Sequence, residues 1–164
     1  MALLIPSSVP SGSWLNGSAN YVFYCRFQAN LSGTLNEIQF YSNISGNAKA
    51  GVYDEDTGPV PNIRLTYNNT GQAVSSSQWN SITVPDYEII SGTYYWLAVL
   101  ADTSGIATRD SGQIWESVYQ SQPYGNGLPS VATLGGSIGY LFSFAGYGDL
   151  PLIGGGKNVG CIGF

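Results

Sequence analysis

Thr93-Tyr94-Tyr95-Trp96-Leu97-Ala98-Val99-Leu100-Ala101 carries an apolar or aromatic side chain at nearly every position. Successive side chains of a strand point to opposite faces, so a run of this kind has two faces to bury. It predicts a central strand of a sheet that is covered on both sides. Ser91-Gly92 just before it reads as the turn that introduces it.

The neighbouring segments read as further strands separated by turns. Tyr21-Val-Phe-Tyr-Cys-Arg-Phe27 is aromatic and β-prone. In Thr34–Tyr41, Ile38 and Phe40 share one face, with Glu37 and Gln39 on the other. Ala48–Tyr53 is a short strand, and Ile63, Leu65 and Tyr67 alternate with Asn62, Arg64 and Thr66 as a half-buried strand should. Asn68-Asn-Thr-Gly71 reads as a turn, and Trp79–Val84 as a strand stopped by Pro85-Asp86. Ile114–Tyr119 and Ile138–Ala145 are the last strands, on either side of a long irregular segment, Gln122–Gly136. No stretch has the period of a helix of three turns. The expectation is an all-β chain, an antiparallel β-sandwich of jelly-roll-like kind. Residues 1–18 read as an extended arm, 19–149 as the sandwich domain and 150–164 as a Gly-rich apolar tail.

Composition agrees and excludes several functions. The 164 residues suffice for one domain. Only 9% are charged, against roughly 25% in an average soluble domain. Five Lys and Arg against ten Asp and Glu leave a net charge of −5, too few cations for a phosphate-neutralising face, so neither nucleic acid nor an anionic membrane is an expected partner. The chain has no histidine, which removes the Ser-His-Asp arrangement and most zinc sites. Met1-Ala-Leu-Leu-Ile-Pro6 does not read as a signal peptide, and no stretch reaches the length of a membrane span. Cys25 and Cys161 either form a disulfide, worth about 4–5 kcal/mol in the chain-entropy model, or stand as two thiols.

Gly51-Val-Tyr-Asp-Glu-Asp-Thr-Gly-Pro-Val-Pro61, Trp79-Asn-Ser-Ile-Thr-Val-Pro85 and Ser91-Gly-Thr-Tyr-Tyr-Trp-Leu-Ala98 together resemble small jelly-roll-like β-sandwich modules. Such modules occur in phage virion and tail proteins and in bacterial and archaeal surface proteins. The resemblance spans about residues 20–102. It implies a binding or architectural role without chemistry, and it carries over no catalytic residue.

Three sets of residues are candidates for function. Asp54, Glu55 and Asp56 share one turn and could supply oxygens to a structural calcium, although a solvated turn has the same composition. No other cofactor is expected. Aromatic faces stack on pyranose rings, so Trp14, Trp115, Tyr119 and Tyr124 could hold a glycan or line a subunit contact. Trp79 and Trp96 are expected in the core. The tail residues Leu152, Ile153, Val159, Ile162 and Phe164 need cover, on their own domain or on a neighbouring copy. No pair of carboxylates stands out as catalytic, neither Asp102 with Asp110 nor Glu88 with Glu116. Asn16, Asn30, Asn43 and Asn68 head glycosylation sequons, which matter only for an exported chain.

The sequence therefore leads to a non-enzymatic structural subunit of a virion or extracellular assembly, of the phage decoration, tail or fibre type. It would self-associate as a homo-oligomer or with other subunits. The alternative is a carbohydrate-binding or adhesion module that uses exposed Trp and Tyr, with or without calcium.

Overall fold

The computed structural model describes residues 1–6, 18–43, 45–105, 108–109, 117–139 and 141–151, with residues 108, 109 and 141 described in their backbone only. Twelve strands account for most of them. They are β1 (Ala2–Ile5), β2 (Tyr21–Gln28), β3 (Gly33–Ser42), β4 (Gly46–Glu55), β5 (Pro61–Val74) and β6 (Gln78–Ile89). Then follow β7 (Tyr94–Ala101), β8 (Thr108–Arg109), β9 (Ser117–Ser121), β10 (Gly136–Ile138), β11 (Leu141–Phe142) and β12 (Phe144–Asp149). One 3-10 turn, Tyr124–Asn126, is the only helical element among the described residues.

Two antiparallel sheets face each other. One has the order β1-β12-β3-β6, the other β10-β9-β2-β7-β4-β5; β8 and β11 make a separate small ladder. The long strands pair in a nested way: β1 with β12, β2 with β7, β3 with β6 and β4 with β5. Between the sheets lie Leu4, Ile5, Leu35, Ile38, Phe40, Val52, Ile82, Leu97, Val99 and Phe144, all fully buried. The expected inward face of Ile38 and Phe40 is therefore realised, with Glu37 and Gln39 half-exposed opposite them. Cys25 is buried in this layer, and its sulfur accepts a hydrogen bond from the Phe142 N–H at 3.0 Å. Cys161 lies outside the described residues.

β7 is central, between β2 and β4, and Tyr95 to Ala101 are all buried. Its odd positions feed the core between the sheets. Trp96, Ala98 and Leu100 point to the opposite face, where they join Val22, Tyr24, Tyr53, Val118 and Leu128 in a second apolar cluster. The cover for that cluster is the irregular segment Gln122–Gly136. It is tied down by bonds from the Tyr53 hydroxyl to the Pro129 carbonyl (2.6 Å), from the Arg64 guanidinium to the Leu128 carbonyl, and from the Leu128 N–H to Asn69 Oδ1 (2.8 Å).

Several expectations are corrected. The stretch read as an arm starts with a strand: Leu4 and Ile5 are fully buried and β1 pairs with β12. The 63/65/67 alternation fails. Ile63 and Tyr67 are exposed and Thr66 is buried, because β5 carries extra residues against β4 around Leu65 and between Pro61 and Arg64. Asn68–Gly71 is no turn between strands. It is a bulge inside β5, where residues 69–71 stand opposite Lys49 alone. Pro85-Asp86 does not stop β6 either: residues 84–86 bulge against Asn36, and the strand runs on to Ile89. The expected strand Ile138–Ala145 is split among β10, β11 and β12. Trp79 is 37% exposed beside Tyr41, not in the core.

Candidate functional site

The two bulges lie on β5 and β6, the strands that face each other along one open side of the sandwich. Side chains of β5 close that side. Asn68 Nδ2 donates to the Thr83 carbonyl (2.8 Å), the Thr83 N–H donates to Gln72 Oε1 (2.8 Å), and the Thr66 hydroxyl donates to the Pro85 carbonyl (2.6 Å). Backbone groups that an edge strand would otherwise present are satisfied from within. Beside these bonds runs an open groove of about 800 Å³, lined by Tyr67, Asn68, Asn69, Thr70, Thr83, Val84 and Pro85.

The groove is held in shape from behind. The Arg64 guanidinium sits 3.5 Å from the centre of the Tyr67 ring and covers one of its faces. Tyr67 is nevertheless 39% exposed and lines the groove. Asn69 packs against Gly127, whose positive φ of 72° and missing Cβ allow the contact. Asn68 Oδ1 accepts from the N–H groups of Thr70 (3.0 Å) and Gly71 (3.2 Å), which fixes the bulge. Sequence reasoning missed this groove. The signals were present, a Gly/Asn run and a Pro between β-prone stretches, but both also mark strand ends.

The acidic turn is distributed among separate partners. Asp54 Oδ1 accepts from the Ile63 N–H (2.5 Å), and Asp56 Oδ1 accepts from the Thr57 N–H (2.7 Å) and hydroxyl (3.0 Å). Glu55 forms a two-pronged pair with Arg26, whose guanidinium also covers the Tyr94 ring at 3.6 Å. The Glu55 hydrogen bonds raise the Arg26 pKa and outweigh the opposing effect of burial. Among the described residues no group of three His, Cys, Asp or Glu is arranged to hold a metal. Tyr87, Tyr94 and Tyr95 border the same turn in a shallow cleft of about 460 Å³, and burial pushes the Tyr87 hydroxyl up.

Tyr119 and Tyr124 make intramolecular contacts. The Tyr119 ring packs on Tyr21 (5.8 Å between centres) and against Gly136. Tyr124 lies over the buried Lys49, whose ammonium is 4.2 Å from the ring centre and donates to the Tyr124 carbonyl (2.8 Å). Trp96 is fully buried. Trp14, Trp115, Leu152, Ile153, Val159, Ile162 and Phe164 lie outside the described residues.

One end of the sandwich exposes apolar side chains among polar ones. The loops at 29–32 and 90–93 are laced together by bonds from the Ser91 N–H to Ser32 Oγ (2.9 Å) and from the Gly92 N–H to the Ala29 carbonyl (2.8 Å). Leu31 and Ile90 are exposed on these loops, and Leu150 is exposed where β12 ends. A hollow of about 230 Å³ there is lined by Ser32, Gly33, Thr34, Glu88, Ile89, Ile90 and Pro151. No helix among the described residues is long and apolar enough to cross a membrane. No family model matches the chain, no curated protein matches it, and no solved structure matches it.

Proposed function

We propose that this protein is a non-enzymatic structural subunit of a virion or extracellular assembly, a jelly-roll-like β-sandwich that self-associates through uncharged surfaces and its terminal segments. The observation that carries the reading is the fate of its cations. Arg26, Lys49 and Arg64, the three whose side chains are described, are all engaged inside their own molecule, by Glu55, Tyr124 and Leu128 respectively. The surface so left is poor in positive charge, and subunit interfaces are depleted in Lys and enriched in aromatics. At one end Leu31, Ile90 and Leu150 add exposed apolar side chains near Pro151, after which the sequence continues with a Gly-rich stretch that carries Leu152, Ile153, Val159, Ile162 and Phe164. Exposed apolar clusters of this kind mark contact surfaces. The jelly-roll reading draws on the nested pairing of eight strands, first with last and so inward, which is how a long folded hairpin wraps into two sheets. A role without chemistry is favoured by the acidic turn, whose carboxylates are each held by a different partner.

Size-exclusion chromatography with light scattering tests the proposal on the full chain and on a chain cut after Asp149. The expected result is an assembly larger than one copy that becomes smaller or weaker on truncation. A monomer at every concentration, indifferent to the cut, overturns it.

A further inference from the structure

We propose that the groove between β5 and β6 is a binding site for an uncharged saccharide. Four observations converge on that ligand class. First, no carboxylate, ammonium or guanidinium belongs to the residues that line the groove, so a charged ligand would lose hydration without gaining a partner. Second, the lining combines apolar faces (Tyr67, Val84, Pro85) with short neutral polar groups (Asn69, Thr70, Thr83). A pyranose has the matching division, with C–H faces that stack on an aromatic ring and a rim of hydroxyls. Third, the Tyr67 hydroxyl, the Asn69 NH2 group and the Thr70 and Thr83 hydroxyls make no hydrogen bond among the described residues, so donors and acceptors remain for a ligand. Fourth, the groove is already organised: Arg64 pins the Tyr67 ring, Leu128 and Gly127 position Asn69, and the Asn68–Thr83 bond fixes the gap. Organisation before binding lowers its cost.

The same bonds argue against a peptide that adds as a strand. The Thr83 N–H and carbonyl, which such a peptide would need, are already taken by Gln72 and Asn68.

Isothermal titration calorimetry on the full chain tests the site with neutral oligosaccharides as probes: cello-, xylo-, manno-, malto- and chito-oligomers, with oligogalacturonate as the charged control. Hydrogen exchange with mass spectrometry locates any binding. We expect saturable binding of at least one neutral probe and none of oligogalacturonate, with protection confined to the segments around 66–72 and 81–86. Tyr67→Ala weakens that binding about tenfold or more, while Tyr67→Phe, which keeps the ring and loses one hydroxyl, weakens it less. Absence of saturable binding across the panel overturns the proposal. So does protection elsewhere, or equal binding by a Tyr67→Ala protein with the unfolding temperature of the parent.

Discussion

Asp102 sits just after β7 and reaches back to the start of β4, where its carboxylate accepts the Asn47 N–H (2.8 Å) and the Asn47 side-chain amide (2.9 Å). Partial burial pushes its pKa up, but the bonds from Asn47, with further ones from Thr103 and its own backbone, more than offset this and leave it below the usual value. A carboxyl depressed in the folded state stabilises the fold above its unfolded pKa of about 3.9, and that contribution fades as the pH falls through the lower folded pKa. Asp102→Asn removes the titration and keeps an acceptor. The unfolding temperature of the parent should therefore fall more steeply than that of the variant as the pH drops from about 5 to about 2.5, which thermal scans across that range will check.

Among the elements, the segment Gln122–Gly136 has the largest consequence. It covers Trp96, Tyr24 and Tyr53, and Leu128 is its buried anchor at 2% exposure. Leu128→Ala removes that anchor from a filled space and should destabilise by about 2–4 kcal/mol in chemical denaturation, with tryptophan emission shifted to the red as Trp96 gains water. The need for such a cover was legible, because the Thr93–Ala101 run has no polar face. Its identity was not. The segment is rich in Gly and Pro and is held in part by single bonds from Tyr53, Arg64 and Asn69, residues distant in sequence. The bulges in β5 and β6 were hidden for a related reason. Asn68–Gly71 and Pro85-Asp86 break regular pairing locally in either case, and only the continuation of the ladders with β4 and β3 makes them bulges and not ends.

For the whole molecule, charge and apolar contact oppose each other. The net charge of −5 repels like copies, while the exposed Leu31, Ile90 and Leu150 favour contact. Screening shortens from about 30 Å at 0.01 M salt to about 8 Å at physiological ionic strength. Self-association measured by sedimentation should therefore strengthen as salt rises over that range. Weakening on added salt would mean that ion pairs, not apolar contacts, join the copies.

By itself the sequence determined the all-β character, the central place of β7 and the inward face of Ile38 and Phe40. These follow from the two-residue period of a strand, a property of neighbouring residues. The exposure of Ile63 and Tyr67, the burial of Thr66, the groove between two bulges and the capture of Arg26, Lys49 and Arg64 were decided only by the tertiary structure. Each depends on what an edge strand or a lone cation meets across the sandwich or its outer cover, and that partner comes from residues far along the chain.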